Sequence, residues 1–196
     1  MLERDGRRVF NPRWLPALDS PWRDHWQQPA CVLDALALRP GAVVADVGAG
    51  GGYFTEPLAR RVGATGRVYA TDVQDEMLDA LRKRAEEREL ENVAVIRAAY
   101  DDPSLPDACC DLVFLANVYK EIDERVAWLR RLRRALRPGG RVAIIGFHPD
   151  AAGFGPPREV RLPTRTVEAE LHASGFALHQ SFDFLPRQYF LVFVPR

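Results

Sequence analysis

The sequence predicts an α/β fold in which helices cover both faces of a mostly parallel sheet. Short and almost entirely apolar runs alternate along the chain with longer segments of helical periodicity, and such runs are typical of parallel strands buried on both faces. The run 42–47 is followed at once by a glycine-rich bend and then by a helical pattern. This strand–loop–helix order is typical of pockets in which backbone N–H groups and a helix N-terminus approach a ligand.

The predicted helices begin and end at residues with marked conformational preferences. Pro29 suits the first turn of the first long helical segment, and Gly41 follows the end of that segment. Gly175 stops the last helical segment in the same way. We therefore expect the main helices over residues 29–38, 53–62, 75–90, 122–136 and 164–174.

The apolar runs between these helices predict strands at 42–47, 67–72, 93–98, 111–116 and 141–147. The tripeptide Pro138-Gly139-Gly140 predicts a turn that leads into the last of them. Two further apolar runs, 176–184 and 188–194, are joined by Leu185-Pro186-Arg187. They predict an antiparallel hairpin that closes the sheet.

Residues 1–28 differ from the rest because they are rich in Pro, Arg and Trp and lack clear periodicity. They are too apolar for simple disorder, so we expect an N-terminal arm that packs across the domain surface or a lid over the pocket. Trp22, His25 and Trp26 either contact a substrate or anchor this arm. Residues 29–196 are expected to form one domain.

Composition excludes several classes of protein. The chain has 196 residues, of which 47% are hydrophobic, enough for one domain with a core. Its 27 basic and 27 acidic residues balance, which disfavours a nucleic-acid partner. The cysteines Cys31, Cys109 and Cys110 form neither a disulfide framework nor a metal-binding motif, so we expect no metal. Without an apolar leader or membrane span, the sequence indicates a cytoplasmic protein.

The spacing of the glycines bears on the ligand. The loop reads Asp46-x-Gly48-x-Gly50-x-Gly52, and Tyr53 stands where a dinucleotide fingerprint requires its third glycine. No Lys-Ser or Lys-Thr pair follows the glycines, so the loop is not a phosphate-binding loop of that kind. A carboxylate at the mouth of the loop repels a pyrophosphate and attracts an ammonium or sulfonium. This charge favours S-adenosylmethionine over a dinucleotide, although glycines also serve close packing alone.

The same acid and glycine spacing resembles the first motif of the class I S-adenosylmethionine-dependent methyltransferases, in particular the small quinone-biosynthesis type. The resemblance covers residues 29–196, and the Pro138-Gly139-Gly140 turn is a second, independent match. It implies a Rossmann-like, doubly wound, seven-stranded and mostly parallel sheet with a C-terminal antiparallel hairpin. It also implies in-line methyl transfer to a small-molecule acceptor, with S-adenosylhomocysteine as the second product.

Within the resemblance, Asp46, Gly48, Gly50 and Gly52 are expected to bind the cofactor. Asp72 ends the second strand about 20 residues beyond the loop, the offset at which an acid binds a ribose diol in a βαβ unit. The alternative is that Asp72 or Asp75 caps the next helix. The resemblance implies that Asp72 binds both ribose hydroxyls and that the next residue, Val73, packs on the adenine.

Two further cofactor contacts are implied by the resemblance. An acid a few residues before Leu105-Pro106 accepts from the adenine amino group, and the spacing favours Asp101. A loop longer by one residue would give this role to Asp102, and paired acids before a proline are also ordinary in turns. Asn117, at the end of the fourth strand, is expected near the methionine part of the cofactor.

No residue is assigned a catalytic role. Related methyltransferases carry histidine near the position of Lys120, and a charged lysine is a poor base, so Lys120 either holds an acidic acceptor or pairs with Glu121 or Asp123. Tyr119 and His148 are the other side chains expected on the acceptor side of the cleft.

In the long loop 151–163, Arg158 and Arg161 are candidates for contact with an anionic substrate. Two rival functions are also compatible with the sequence. One is a non-catalytic cofactor-binding module that serves as a sensor or scaffold, and the other is a nicotinamide-dependent oxidoreductase. The sequence specifies neither the acceptor nor the oligomeric state.

Overall fold

The structure, a computed structural model, describes residues 2–4 and 7–196, with side chains from Val9 onward. Within this part of the chain, β1 (Leu2–Arg4) and β2 (Arg7–Val9) form a separate antiparallel pair. Seven strands form the main sheet. They are β3 (Val43–Val47), β4 (Arg67–Asp72), β5 (Val93–Arg97), β6 (Cys110–Ala116), β7 (Leu136–Phe147), β8 (Phe176–Phe182) and β9 (Gln188–Pro195).

The strand order across the main sheet is β5-β4-β3-β6-β7-β9-β8. The first five strands are parallel, and β9 runs antiparallel to both β7 and β8. The last strand of the chain is therefore inserted beside β7, and β8 forms the edge. This topology confirms the predicted doubly wound sheet with a C-terminal antiparallel hairpin.

Seven α-helices are present among the described residues. They are α1 (Leu15–Leu18), α2 (Trp22–Gln27), α3 (Pro29–Leu36), α4 (Thr55–Val62), α5 (Asp75–Glu87), α6 (Arg125–Leu132) and α7 (Thr164–Ala173). The helix expected over 122–136 is shorter than predicted because Glu124 adopts a φ of 45°, which prevents the helix from starting earlier, and because its last turn tightens into a 3₁₀ helix at Arg133–Ala135.

Two apolar layers lie on opposite faces of the sheet. Successive residues of β3 alternate between them, so that Val44 packs with α3 and α4 while Ala45 packs with α6 and α7. On β4, Val68 and Ala70 share a face, and Ala70 packs against Leu78 of α5. Helices α3, α4 and α5 therefore cover one face, and α6 and α7 cover the other.

The Pro138-Gly139-Gly140 segment differs from its prediction, because it lies inside β7 and does not precede it. Leu136 pairs with Cys110 and Arg141 pairs with Leu112, so the extra residues of β7 form a bulge. A Cβ on Gly140 would lie 2.8 Å from the carbonyl oxygen of Cys110, and Gly139 has a φ of 79°. Both glycines are thus required by the bulge itself.

The N-terminal segment lies against the glycine loop. A Cβ on Gly51 would lie 2.7 Å from Cδ1 of Leu15, and Asp19 forms an ion pair of 2.6 Å with Arg84 of α5. The Tyr53 hydroxyl donates a hydrogen bond of 2.5 Å to Asp24 in α2. These contacts attach α1 and α2 to the loop and to α5, whereas the division of the chain at residues 28 and 29 stays a prediction.

A ring of three side-chain amides joins α2 to the sheet. Gln27 donates to Gln188 at 2.6 Å, Gln188 donates to Asn117 at 2.5 Å, and Asn117 donates back to Gln27 at 3.1 Å. Gln27 and Gln188 are fully buried. Because each amide satisfies its neighbour, the ring fixes the end of α2 between the carboxyl end of β6 and the start of β9.

We expect Gln188→Met to lower the free energy of unfolding by about 2–4 kcal/mol, because methionine preserves the volume but leaves the buried Gln27 donor and Asn117 acceptor unpaired. Urea denaturation measures this loss. Gln180→Met, on the exposed side of edge strand β8, is the matched control and should change stability little. Equal effects of the two substitutions would contradict a stabilising role for the ring.

Candidate functional site

The candidate site lies where the strand order changes direction, between β3 and β6. Chain connections leave these two strands toward opposite sides of the sheet, which opens a crevice at their carboxyl ends. Asp46 lies near the end of β3, Asp72 ends neighbouring β4, and Asn117 follows β6. Three polar residues predicted from the sequence therefore lie at one edge of the sheet.

The glycine loop between β3 and α4 has a backbone that favours glycine. Gly48, Gly50 and Gly52 have φ angles of 63°, 57° and 85°. A Cβ on Gly48 would lie 2.3 Å from Cγ2 of Val118, the residue after Asn117. Gly48 is therefore needed both for its conformation and for close approach to the segment that follows β6.

Asp72 connects this loop to the end of β4. One carboxylate oxygen accepts a hydrogen bond of 3.0 Å from the N–H of Gly50, and the other accepts one of 3.0 Å from the N–H of Gln74. Burial raises the pKa of Asp72, and the hydrogen bonds oppose that rise. Gln74 occupies the cap position of α5, with Asp75 inside the helix, so the alternative in which Asp72 or Asp75 is the helix cap is wrong.

Asp46 is the second buried carboxylate, with 2% of its surface exposed. It accepts a hydrogen bond of 2.6 Å from the Thr55 hydroxyl. Burial raises its pKa to about 6, and the nearby Asp72 adds to this rise, whereas Thr55 and Arg23 oppose it. The crevice therefore holds two carboxylates in a setting where their charge is poorly solvated.

Arg23 of α2 is the cation that acts on Asp46. Its guanidinium lies 3.8 Å from the ring centroid of Tyr53 and donates to the carbonyl of Leu18 at 2.8 Å. Burial lowers its pKa to about 10. Its Nε atom is buried without a hydrogen-bond partner among the described residues. Arg23 thus brings a positive charge and an unused donor from the N-terminal segment to the carboxylates.

The chemistry of these groups indicates which ligand fits. Besides the two carboxylates, the crevice offers the buried Thr71 hydroxyl and the side-chain amide oxygen of Gln74, which have no hydrogen-bond partner among the described residues. Carboxylate and amide oxygens accept hydrogen bonds and attract positive charge. A ligand with a ribose diol, an ammonium and a sulfonium therefore fits this end of the crevice, and one with a pyrophosphate does not.

The remaining residues predicted to bind the cofactor take no part in the contacts described above. Val73 is half-buried, directly after Asp72. Asp101 has 71% of its side chain exposed and pairs at 3.4 Å with Arg131 of α6. Asp102 accepts a hydrogen bond of 2.7 Å from the N–H of Ser104, as expected of turn chemistry. The described contacts bring Asp46, the glycine loop, Asp72 and Asn117 together, but none of them links Asp101 to this group.

The side chains expected on the acceptor side are engaged in other contacts. The buried Tyr119 hydroxyl donates to Glu170 at 2.7 Å, and burial raises its pKa. Lys120 donates to the Asn117 carbonyl at 2.5 Å and to Glu121 at 2.8 Å. Of the two alternatives predicted for Lys120, the structure shows the pairing with Glu121. His148 is exposed, beside the ring of Tyr189.

A pocket opens on the other side of Asn117, at the carboxyl ends of β6 and β7. We call it the Asn117 pocket, and its walls include Asn117, Tyr119, Lys120, Phe147, Arg161 and Tyr189. Asn117 is shared between this pocket and the amide ring, and its neighbour Val118 lies over Gly48. The pocket therefore adjoins the crevice that contains Asp46 and Asp72.

Several residues of the site were missed by sequence reasoning. Thr55 and Arg23 act on Asp46, and Gln27 and Gln188 hold Asn117. Gln27 and Gln188 are 161 residues apart in the chain, so no local pattern connects them. Thr55, by contrast, directly follows the glycine loop, and its hydroxyl was a recognisable partner for the acid at the start of that loop.

Comparison with known proteins agrees with this geometry. The methyltransferase domain family matches residues 44–140, from β3 through the bulge of β7. A crystal structure of a SAM-dependent methyltransferase from Aquifex aeolicus superposes with a TM-score of 0.90 and is 30% identical. That match covers 94% of this chain and 98% of the other.

The chain belongs to the S-adenosylmethionine-dependent methyltransferase family. The methyl donor of this family is S-adenosylmethionine, as expected from the charge of the loop. The family match includes Asp46, Asp72 and Asn117 as well as Pro138-Gly139-Gly140.

Curated relatives match a shorter part of the chain. The ubiquinone/menaquinone biosynthesis C-methyltransferase UbiE of Idiomarina loihiensis is 33% identical over 116 residues, which is 59% of this chain and 46% of that protein. The UbiE protein of Burkholderia cenocepacia strain HI2424 is 34% identical over 110 residues, 56% of this chain and 45% of that protein. The chain thus spans about half the length of the curated relatives it matches.

Two structural features concern a membrane and a metal ion as partners of this methyltransferase-family chain. None of its described helices is both long and apolar enough to span a membrane. No group of three or more His, Cys, Asp or Glu side chains in the described part of the chain is arranged to hold a metal ion.

The buried carboxyl of Asp46 should make the stability of this methyltransferase-family domain depend on pH. Its pKa rises from 3.8 to about 6 on folding, so the neutral form is favoured in the folded state. This stabilisation is complete below the lower value and is lost as pH rises through the higher one. Relative to Asp46→Asn, we expect the free energy of unfolding to fall by about 2–3 kcal/mol from about pH 4 to pH 7.

Urea denaturation across this pH range measures the effect. Asp79→Asn is the control, because the Asp79 side chain is 76% exposed and should leave the pH profile unchanged. Parallel profiles for the unsubstituted protein and Asp46→Asn would show that Asp46 ionises normally.

Proposed function

We propose that this chain transfers the methyl group of S-adenosylmethionine to a small-molecule acceptor by in-line displacement. The observation that carries the proposal is the pair of buried carboxylates, Asp46 and Asp72, placed by one glycine loop at the carboxyl ends of adjacent strands. Buried carboxylates with raised pKa values are costly for folding, and their presence in a crevice indicates a bound cation or donor. The relatives named above are methyltransferases, which supports the same reaction class.

Each cofactor residue then has a role that follows from its chemistry. Asp72 accepts from the ribose hydroxyls with the lone pairs that Gly50 and Gln74 leave unused. Asp46 attracts the ammonium end, near Asn117, and the unused Nε donor of Arg23 suits the carboxylate of the methionine part. Gly48, Gly50 and Gly52 allow the backbone to approach the ligand.

The adenine contacts rest on the resemblance alone. Val73 follows Asp72 and is half-buried, which suits packing against the purine. For Asp101 the role at the adenine amino group stays a prediction, since its described partner is Arg131. Rotation of the exposed Asp101 side chain away from Arg131 would be needed for that contact.

The bound cofactor supplies an activated methyl group on a positively charged sulfur. The chain's own contribution is to hold the acceptor in line and to exclude water, which does not require a general base. This agrees with the contacts of Tyr119 and Lys120, both of which already donate hydrogen bonds within the protein. The segment containing α1 and α2 contributes by covering the loop.

A thermal shift experiment tests the cofactor assignment. S-adenosylmethionine and S-adenosylhomocysteine should raise the melting temperature, and NAD should not, because a pyrophosphate would face Asp46 and Asp72. Stabilisation by NAD alone would favour the oxidoreductase. Methyl transfer from labelled cofactor to a small-molecule extract then separates an enzyme from a sensor, since a sensor binds the cofactor without labelling any product.

Asp72→Asn should weaken binding of S-adenosylhomocysteine by about 1–3 kcal/mol, because a ribose hydroxyl loses a charged acceptor. Isothermal titration calorimetry measures the affinity. Asp75→Asn is the matched control, as the Asp75 side chain is 75% exposed and lies three residues further along. An unchanged affinity in Asp72→Asn would exclude the ribose contact.

A further inference from the structure

The Asn117 pocket contains a buried arginine that neither the family match nor the proposed methyl transfer explains. Arg161 lies in the loop after β7, and 7% of its surface is exposed. The residue lies outside the matched segment 44–140. The other arginine of the same loop that the sequence singled out, Arg158, is exposed and does not line the pocket.

Neutral groups alone hold the Arg161 guanidinium. Its Nε donates to the carbonyl of Pro156 at 2.9 Å, and its Nη1 donates to the carbonyls of Ala151 at 2.6 Å and His148 at 3.3 Å. Among residues 9–196, no carboxylate oxygen lies within 4 Å of it, and Nη2 has no hydrogen-bond partner there. The charge is thus fixed in position and lacks a counterion within this part of the chain.

Lys120, the second cation of the pocket, has a carboxylate partner. Lys120 is paired with Glu121 at 2.8 Å, so the two side chains together contribute no net charge. Glu170, which accepts a hydrogen bond from the pocket residue Tyr119, is also bound by Arg125 through two hydrogen bonds. The positive charge that remains for a ligand is therefore that of Arg161.

Apart from Asn117, the remaining walls of the pocket are aromatic and apolar. Phe147 lies beneath the guanidinium, whose carbon is 5.5 Å from the ring centroid, and Tyr119 and Tyr189 form other walls. The ring of Phe147 also contacts Trp26 of α2 at 5.5 Å between centroids. The space enclosed by these walls is little larger than one water molecule, so a ligand would insert one anionic group beside Arg161 and hold its apolar body against the outer side of the rings.

We propose that the Asn117 pocket binds the methyl acceptor and that this acceptor carries a carboxylate or phosphate held by Arg161. The inference rests on the proposed methyl transfer and deepens it, because it assigns a chemical class to the acceptor. A guanidinium buried without a counterion is costly, and an anionic ligand that forms charge-assisted hydrogen bonds with it removes that cost. A neutral acceptor of the same shape would leave the charge uncompensated.

Binding of three simple probes tests the proposal. Benzoate, phenyl phosphate and the neutral benzamide share one aromatic ring and differ in charge, and their affinities are measured by calorimetry at constant ionic strength with saturating S-adenosylhomocysteine. In the unsubstituted protein we expect at least one of the two anions to bind about ten-fold or more tightly than benzamide. Whichever anion binds more tightly identifies the group as carboxylate or phosphate.

Variants of the two loop arginines make the test specific. Arg161→Gln should abolish the preference for the anion and keep the affinity for benzamide, which shows that the pocket is intact. Arg161→Lys should restore part of the preference, and Arg158→Gln, the matched control, should keep all of it. The proposal is overturned if benzamide binds as tightly as both anions, if no probe binds at millimolar concentration, or if Arg158→Gln has the effect of Arg161→Gln.

This result is separable from the proposed function. If S-adenosylhomocysteine itself fails to bind, the proposed methyl transfer is contradicted, whatever the affinities of the three probes. If S-adenosylhomocysteine binds and the anion preference is absent, the methyl donor site stands and the anionic acceptor is excluded.

Discussion

The hydrogen bonds that Asp72 accepts from the Gly50 and Gln74 N–H groups fix the geometry of the whole site. They hold the glycine loop against the end of β4, and this position brings Gly48 under Val118. Val118 in turn follows Asn117, which the amide ring connects to α2. The loop, the segment after β6 and the N-terminal segment are therefore linked through contiguous contacts, so a shift of one constrains the others.

Hydrogen bonds to each carboxylate offset part of the cost of its burial. Asp72 is stabilised by backbone donors and Asp46 by Thr55, yet burial still raises both pKa values. Folding alone gains little from two acids at this place, since apolar residues of similar size would avoid the cost of desolvation. Arg23 compensates this charge only in part, because its single positive charge is shared between Asp46 and the other nearby acids, Asp19 and Asp24. A bound cation is the simplest physical reason for the arrangement.

Sequence patterns predicted the features that depend on local chemistry. The predicted bounds of β4 agree with the observed ones. The acid and glycine spacing identified the loop, because its backbone conformation and its charge depend on residues that are adjacent in the sequence. Features that depend on distant residues escaped prediction. The amide ring joins positions 27, 117 and 188, and the bulge at Gly139 and Gly140 depends on a carbonyl of β6. Nor did the pattern separate Arg161 from Arg158, because their difference is one of burial.

The two halves of the cleft carry opposite charge, and this affects how strongly the substrates and the products bind. With the proposed ligands bound, the carboxylates Asp46 and Asp72 repel an anionic acceptor from the donor side, while Arg161 draws it to the far side of Asn117. The acceptor also gains attraction from the positive sulfur of the donor. Methyl transfer converts that sulfonium to a neutral thioether, so this attraction disappears when the product forms. The charge pattern therefore favours binding of the substrate pair over the product pair, which speeds release without any moving catalytic residue.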